Sequence, residues 1–341
     1  MNLNLLEAID SLEKEKGISR DYLIDIIAKS IKSAYKKNYG AKNVEIDIDK
    51  NLTRLNVYQV WNVVEVVENP KEEISLEEAK KIDPKVEVGG VIRKKVNLKK
   101  DFNRIAAQTA KQVILQNLKE VEKKKLFERY LPLKNKISTA EVVRVTDSYV
   151  DIRIGKLETK LPDKEMIPGE TFNKGDLIKV YIKDIQSTSK GPRIMVSRTA
   201  PEFICELLTS IVPEIDEGIV KIVKISREPG IRTKVAVTST VPNVDAVGAC
   251  IGEKGFRLNE LLKEIKNEKV DIIEYSDDPK IFIKNALAPA EVKNITLNEE
   301  ERTAYVYVPE NQFSLAVGKG GQTARLAAKI TGWKIDIHPL S

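Results

Sequence analysis

The segment VGKGGQTARLAAKITGWKIDI, residues 317–337, places three glycines in four positions immediately before a run of helical character. The segment IGEKGFRLNELLKEIKNEKVDII, residues 251–273, has the same plan, and its first glycine, Gly252, lies 66 residues before Gly318. In each segment two glycines flank two other residues (GxxG), and a helix and a closing strand follow. A pattern that recurs in this way indicates a duplicated structural unit.

The duplication extends upstream of the glycines. Each copy opens with a helical run that begins at a proline, and two β-branched strands follow. The corresponding segments are PEFICELLTSI, GIVKIVKIS and TKVAVTS in the first copy, and PKIFIKNALA, AEVKNITL and TAYVYVP in the second. We therefore predict the order helix, strand, strand, helix, GxxG, helix, strand twice. The spacing of Leu258, Leu261, Leu262 and Ile265 predicts that they form a buried helix face.

The glycine loops suit the binding of phosphate. Glycine leaves the backbone accessible to a phosphodiester, and the N–H groups at the start of the next helix attract negative charge. The spacings of a Walker loop (GxxxxGKS or GxxxxGKT) and of a dinucleotide loop (GxGxxG) are both missing from these two segments. A GxxG loop between two helices is typical of the K-homology (KH) domain, which holds about four single-stranded nucleotides. The sequence thus predicts two tandem KH domains of the prokaryotic type.

Charged residues distinguish the two loops. Lys319 adds a positive charge to the second loop, whereas Glu253 accompanies Lys254 in the first, so we expect the second loop to hold phosphates more strongly. Arg257 and Arg325 on the following helices could reach sugar or phosphate, although solvated surface arginines are an open alternative. The predicted RNA-binding residues of the loops are Gly252, Lys254, Gly255, Arg257, Gly318, Lys319, Gly320, Gly321 and Arg325.

Between Lys136 and Ser197 about five short strands alternate with glycine-rich and proline-rich turns. This alternation of short strands and turns predicts a small barrel of the OB-fold type, which often binds single-stranded nucleic acid. Tyr149 is the clearest candidate for a base-stacking side chain, with packing inside the barrel as an equal alternative. Asp163 occupies a stretch where a residue better suited to RNA is expected. The barrel could therefore serve as a spacer and weak binder.

The first part of the chain reads as an α/β domain. The apolar residues of 5–37 recur at helical spacing and predict two helices, and residues 43–49 and 54–67 predict strands. A short helix is expected after Ser75, since Glu78 completes a capping pattern. A long connecting helix follows and ends at a proline.

These elements predict a multidomain α+β protein with a small β-barrel. The expected domains are an α/β domain with a long helix, an OB-fold barrel and two KH domains, at residues 1–132, 133–200, 201–276 and 277–341.

Composition narrows the function classes. The 341 residues include 42% hydrophobic ones, and 57 Lys and Arg against 51 Asp and Glu give a net charge of +6, which permits a polyanionic partner without requiring one. Two cysteines, Cys205 and Cys250, give no disulfide framework, which favours the reducing cytoplasm. No signal-peptide pattern opens the chain and no run approaches about 18 apolar residues, so we expect no membrane association.

Catalytic machinery is not evident in the sequence. The chain has one histidine, His338, no recognisable nucleophile motif and no cluster of metal ligands. Cys250, beside the first loop, is expected to be a small buried hydrophobe. We expect no enzyme, cofactor or metal. Two alternatives stay open: an RNA-processing enzyme such as an exoribonuclease or a GTPase that carries KH and OB appendages, and a structural or ribosome-associated RNA binder.

Over nearly its whole length the chain resembles the family of bacterial transcription elongation, termination and antitermination factors called NusA. The segments that carry the resemblance include DFNRIAAQTAKQVILQ, IGKLETKLPDKEMIPGE, GPRIMVSRTAPEFICELL, REPGIRTKVAV, VGACIGEKGFRL and SLAVGKGGQTARLAAKITGWKIDI. The resemblance implies an N-terminal domain that binds DNA-directed RNA polymerase on the flap of its β subunit, near the RNA exit channel. It implicates Arg104 and Lys111, for which a solvated helix face is the alternative.

The same resemblance implies that the barrel and both KH domains form one RNA-binding surface. The segment REPGIRTK would contribute Arg227, Arg232 and Lys234 to it, although a soluble hairpin turn is an equal interpretation of these residues. The implied function is a cytoplasmic, monomeric transcription factor that binds polymerase and the nascent single-stranded RNA. It would modulate pausing, termination and antitermination, together with other antitermination factors.

Overall fold

The computed structural model describes residues 18–39, 43–49, 54–96, 100–266 and 268–340, together with Glu13. The chain forms two compact units, Met1–Leu126 and Phe127–Ser341. The first of the two helices predicted within residues 5–37 lies outside the described residues. Within these ranges, no helix is both long enough and apolar enough to cross a membrane.

The described part of the first unit consists of helices and a four-stranded sheet. Strand β2 lies at its centre and pairs antiparallel with β1 and β4 and parallel with β3. The elements are α1 (Arg20–Tyr39), β1 (Val44–Ile48), β2 (Leu55–Val64), β3 (Glu73–Ser75), α2 (Leu76–Lys80), β4 (Val91–Lys95) and α3 (Lys100–Tyr130). The predicted cap of α2 is confirmed, since the Ser75 hydroxyl accepts a hydrogen bond from the Glu78 N–H. The sequence analysis missed the two short strands β3 and β4.

Helix α3 packs against the core of the first unit through one stripe of side chains. Its buried residues recur every four positions, which places them on one face of the helix: Phe102, Ala106, Ala110 and Ile114. Phe102 meets the ring of Tyr35 from α1 edge to face, with ring centroids 5.2 Å apart. The opposite face of α3 is therefore left to solvent.

The second unit begins with a five-stranded antiparallel sheet in the order β7-β6-β5-β8-β9. Its strands are β5 (Ile137–Val145), β6 (Tyr149–Ile154), β7 (Leu157–Pro162), β8 (Leu177–Thr188) and β9 (Gly191–Ser197). The two edge strands approach each other, and the Thr159 hydroxyl of β7 donates a hydrogen bond to the Ile194 carbonyl of β9. The sheet is thus nearly closed into a barrel, and all five predicted strands are confirmed.

Two modules of the same topology follow the barrel. The first module consists of α4 (Pro201–Ile211), α5 (Pro213–Asp216), β10 (Val220–Glu228), β11 (Arg232–Ser239), α6 (Ala246–Ile251), α7 (Phe256–Ile265) and β12 (Lys269–Glu274). The second consists of α8 (Pro279–Ala286), β13 (Asn294–Asn298), β14 (Thr303–Pro309), α9 (Glu310–Val317), α10 (Gln322–Thr331) and β15 (Lys334–Leu340). In both, the first two strands pair antiparallel and the last two parallel. The predicted element order is confirmed in both copies, apart from the additional short helix α5 in the first.

The modules are stacked, with the sheet of the first against the helices of the second. Strand β11 is buried on both faces. Val235 and Val237 contribute to the core that the first module shares with the barrel. Ala236, which points to the other face, joins a second core with Phe282 and Ile283 of α8.

The corresponding sheet face of the second module carries aromatic side chains instead. Tyr305 and Tyr307 of β14 are half-buried, and the ring of His338 from β15 lies 5.6 Å from that of Tyr307.

Buried ion pairs stabilise the first module and its junction with the barrel. The Arg198 guanidinium, which follows β9, binds the Glu170 carboxylate of the barrel and, at 2.9 Å, the Glu264 carboxylate of α7. Arg227 of β10 makes two hydrogen bonds of 2.8 Å to Glu268, and both side chains are completely buried. The connection between barrel and module is therefore polar as well as apolar.

We predict that breaking the Arg227–Glu268 pair destabilises the second unit severely. Arg227→Met would leave the Glu268 carboxylate buried without its guanidinium, at a cost of about 3–5 kcal/mol. The double variant Arg227→Met/Glu268→Gln should recover part of that loss. Urea unfolding in a Trp61→Phe background isolates the signal of Trp333, which lies in the second unit. Lys221→Met, an exposed cation on the same strand, is the matched control, and equal effects of both single variants would contradict the prediction.

Candidate nucleic-acid interface

The first glycine of each GxxG loop is packed directly on the helix that follows. Gly252 and Gly318 have φ of 74° and 75°, a left-handed region that favours glycine. A Cβ added at Gly318 would lie 2.3 Å from the Thr323 hydroxyl oxygen, and one added at Gly252 would lie 2.8 Å from Cγ of Arg257. A larger residue would require the Arg257 side chain to shift in the first loop and the start of α10 to shift in the second.

The third position of the loop is left-handed in both copies but open to solvent. Its φ is 50° at Lys254 and 61° at Gly320, where an added Cβ would meet no atom within 4 Å. In the first loop a non-glycine residue, Lys254, therefore adopts a left-handed conformation that is strained for residues other than glycine. Because Glu253 offsets Lys254, that loop is electrically neutral, whereas the second carries the single positive charge of Lys319.

The first loop borders an open cleft of about 750 Å³. Glycine backbone contributes part of its wall, and the side chains around it are mixed in character. The lining residues include Glu214, Gly248, Gly252, Lys254, Phe256 and Asn259. A single strand could therefore reach the bare backbone of the loop from solvent.

Arg257 supports the first loop from beneath. Its Nη1 donates to the Ala249 carbonyl at 2.6 Å and to the Glu214 carboxylate at 2.8 Å. The side chain is 27% exposed. These bonds tie α5, α6 and α7 together, so Arg257 acts first as a positioning residue of the loop.

Arg325 connects the second loop to the first module. Its Nε and Nη2 donate to the Glu228 carboxylate at 2.6 and 3.0 Å, and its Nη1 donates to the Gly320 carbonyl at 3.1 Å. The hydrogen bond from Arg325 holds the pKa of Glu228 below its ordinary value, so the pair stays charged at neutral pH. Half of the Arg325 side chain is still exposed, which leaves it accessible to a phosphate.

The three basic residues of REPGIRTK lie inside ion pairs instead of on an open surface. Arg227 is completely buried against Glu268, and Arg232 makes a bidentate pair with Asp271 at 2.7 and 2.9 Å. Lys234 is also fully buried and donates to Asp271. These positions do not support the RNA contacts that the family resemblance implied.

Strand pairing explains what the sequence analysis missed at these residues. Strands β11 and β12 are parallel, and Lys234 lies directly opposite Asp271. Burial opposes the charge of Asp271, but the hydrogen bonds from Arg232 and Lys234 outweigh it and lower the pKa of the carboxyl. Lys234 also donates to the Ala288 carbonyl of the second module. The sequence signal for this ion pair was the single acidic residue in KVDII, which the parallel pairing places opposite the basic residues of β11.

Tyr149 is half-buried at the start of β6. The Lys160 ammonium lies 3.7 Å from the centroid of its ring, and Arg144 donates to its hydroxyl at 3.3 Å. A nucleobase could stack on the ring face that Lys160 covers only by displacing this lysine. Asp163 is exposed in the turn after β7.

Cys250 is completely buried, and burial raises the pKa of its thiol to about 11. It therefore stays protonated at neutral pH, and the interpretation as a buried hydrophobe is confirmed.

Arg104 and Lys111, in the first unit, are both exposed on α3. Lys111 borders a shallow cleft of about 400 Å³ on that helix, together with Leu115 and Lys119. Leu115 is 45% exposed and was not identified in the sequence analysis. This face combines positive charge with an exposed apolar side chain.

Three family descriptions match the chain. The NusA N-terminal domain matches residues 4–124, the NusA-like first KH domain residues 198–275 and the NusA-like second KH domain residues 279–341.

Full-length relatives agree with these matches. The transcription termination/antitermination proteins NusA of Halalkalibacterium halodurans and Bacillus subtilis are each 44% identical over 99% of this chain, and the matches span 88% and 91% of those proteins. The solution structure of the N-terminal domain of NusA from B. subtilis is 45% identical and covers 35% of this chain and 96% of its own, with a TM-score of 0.32. The two repeated modules are thus KH domains, and the chain belongs to the NusA family.

Proposed function

We propose that this chain is a transcription factor that binds DNA-directed RNA polymerase and the nascent single-stranded RNA, and thereby modulates pausing, termination and antitermination. The observation that supports it most is the pair of GxxG loops with matching backbone conformation in tandem KH modules. The relatives named as transcription termination/antitermination proteins place this RNA-binding architecture in transcription. The family consists of transcription factors, and the proposal includes no chemical step.

In this proposal the two loops hold the RNA backbone. A phosphodiester would approach the left-handed glycines and the first N–H groups of α7 and α10, each ten residues long. Lys254 and Lys319 would add charge–charge attraction. Each KH loop of this kind accommodates about four nucleotides.

The first unit would contact polymerase through the exposed face of α3 that carries Arg104 and Lys111. Binding of the transcript then becomes intramolecular, so that modest RNA affinity is sufficient. Because the barrel and both KH modules belong to one compact unit, a strand that occupies one loop is also held near the other.

The remaining expectations complete the proposal. The protein would act in the cytoplasm as a monomer, together with other antitermination factors. Its domains would divide at residues 1–132, 133–200, 201–276 and 277–341. The barrel would contact RNA weakly around Tyr149.

The two loops should differ in their electrostatic contribution to RNA affinity. Lys319→Ala should weaken single-stranded RNA binding several-fold at low salt and reduce the slope of log affinity against log salt by about one. Glu253→Ala should leave the affinity unchanged or raise it, since it removes a negative charge. Fluorescence anisotropy titrations at several salt concentrations measure both quantities, with the exposed Lys263→Ala as control. Equal losses from the Lys319 and Glu253 variants would refute the ranking.

Binding of RNA and binding of polymerase should be separable. Gly320→Asp combined with Lys254→Asp places carboxylates at both loops and should abolish RNA binding while polymerase co-purification persists. Arg104→Glu with Lys111→Glu should have the reverse effect. Circular dichroism verifies that each variant is folded. If either folded variant lost both activities, the division into a polymerase-binding part and an RNA-binding part would be wrong.

A further inference from the structure

Phe256 is an unusually exposed aromatic residue at the first GxxG loop. It directly follows Gly255 and is 66% exposed. The six other phenylalanines of the chain are buried or half-buried. An exposed phenyl ring offers a flat apolar surface on which another ring can stack.

The surroundings of the ring match a nucleobase. Phe256 is the first residue of α7 and borders the cleft described above, together with Gly252. Lys254 and Asn259 border the same cleft. A strand whose phosphate rests on the loop would thus have a flat apolar surface beside one of its bases, with an ammonium group and an amide nearby.

The second loop lacks this ring and has a different charge. The position that matches Phe256 is Gln322, which is half-buried, and the position that matches Glu253 is Lys319. The neutral loop thus has the aromatic side chain, and the charged loop has the amide. The two differences are complementary, since stacking and charge are the two main contributions to single-strand binding.

We propose that Phe256 is a base-stacking residue that binds an unpaired nucleobase of single-stranded RNA at the first loop. The first loop then contributes to affinity mainly by stacking, and the second mainly by charge. This inference rests on the proposed function. Because every base has a π face, the contact tolerates different bases and suits a transcript whose sequence changes as it emerges.

The two kinds of contact respond differently to salt. Stacking releases no counterions, so loss of the ring should lower affinity by the same factor at every salt concentration. Loss of one stacked base typically lowers affinity about tenfold or more. Loss of Lys319 should instead change the slope.

The test titrates a short single-stranded RNA into the full chain and into Phe256→Ala, Phe256→Trp and Tyr22→Ala at three salt concentrations. Tyr22, 55% exposed on α1, is the matched aromatic control. We expect Phe256→Ala to weaken binding about tenfold with an unchanged salt slope, and Tyr22→Ala to bind like the parent. Phe256→Trp should retain affinity, and RNA should quench its added indole fluorescence beyond the quenching seen for the parent, which contains only Trp61 and Trp333.

Each other outcome overturns the inference. Parent-like affinity of Phe256→Ala would show that the ring does not contact RNA, and a reduced salt slope would show that its effect is electrostatic. Loss of polymerase co-purification with unchanged RNA affinity would assign the ring to a protein contact. If the parent itself bound no single-stranded RNA, both the proposed function and the inference would be refuted. If the parent bound RNA and Phe256→Ala bound equally well, only the inference would be refuted. Thermal unfolding of Phe256→Ala should match the parent, since the ring is exposed.

Discussion

The double-sided burial of strand β11 is the constraint on which the second unit depends. Val235 and Val237 face the helices of their own module, while Ala236 faces α8 of the next. A strand covered on both faces has no side on which a charge can be solvated, so its side chains must be apolar, small or paired. Lys234 is paired with Asp271 and with a carbonyl of the second module. The same strand therefore holds together the first module and its junction with the second.

This constraint also explains where sequence reasoning succeeded and where it did not. The duplicated order of helices and strands could be predicted because proline, glycine and apolar spacing are local signals. The environment of Arg227 and Lys234 could not be predicted. The alternation of side chains along a strand indicates that the strand has two faces, but it does not indicate which elements cover them. Here one cover is supplied by α8, some 50 residues further along the chain. Without knowledge of the packing against α8, the basic residues beside this turn resemble a phosphate-binding site.

The candidate site shows a similar division between backbone and side chains. At the first glycine of each loop, positive φ and the close approach of the next helix both require glycine, so the sequence signals this position. Lys254 adopts positive φ without being glycine, so no local signal marks that position. The roles of Arg257 and Arg325 depend on register instead. Counted from the first glycine, Arg257 matches Thr323 and Arg325 matches Asn259, so the two arginines are not equivalents. One supports its loop from below, and the other connects its loop to Glu228.

The sheet face of the second module differs in side-chain chemistry from the corresponding face of the first. The first module packs its sheet against the helices of the second. On β14, tyrosines stand where the first module has Lys234 and Ala236, and His338 lies beside them. Hydroxyl and imidazole groups tolerate water, and their bulk prevents the close approach that Ala236 permits. The second sheet thus has the same backbone topology as the first but presents a bulkier and more water-compatible face.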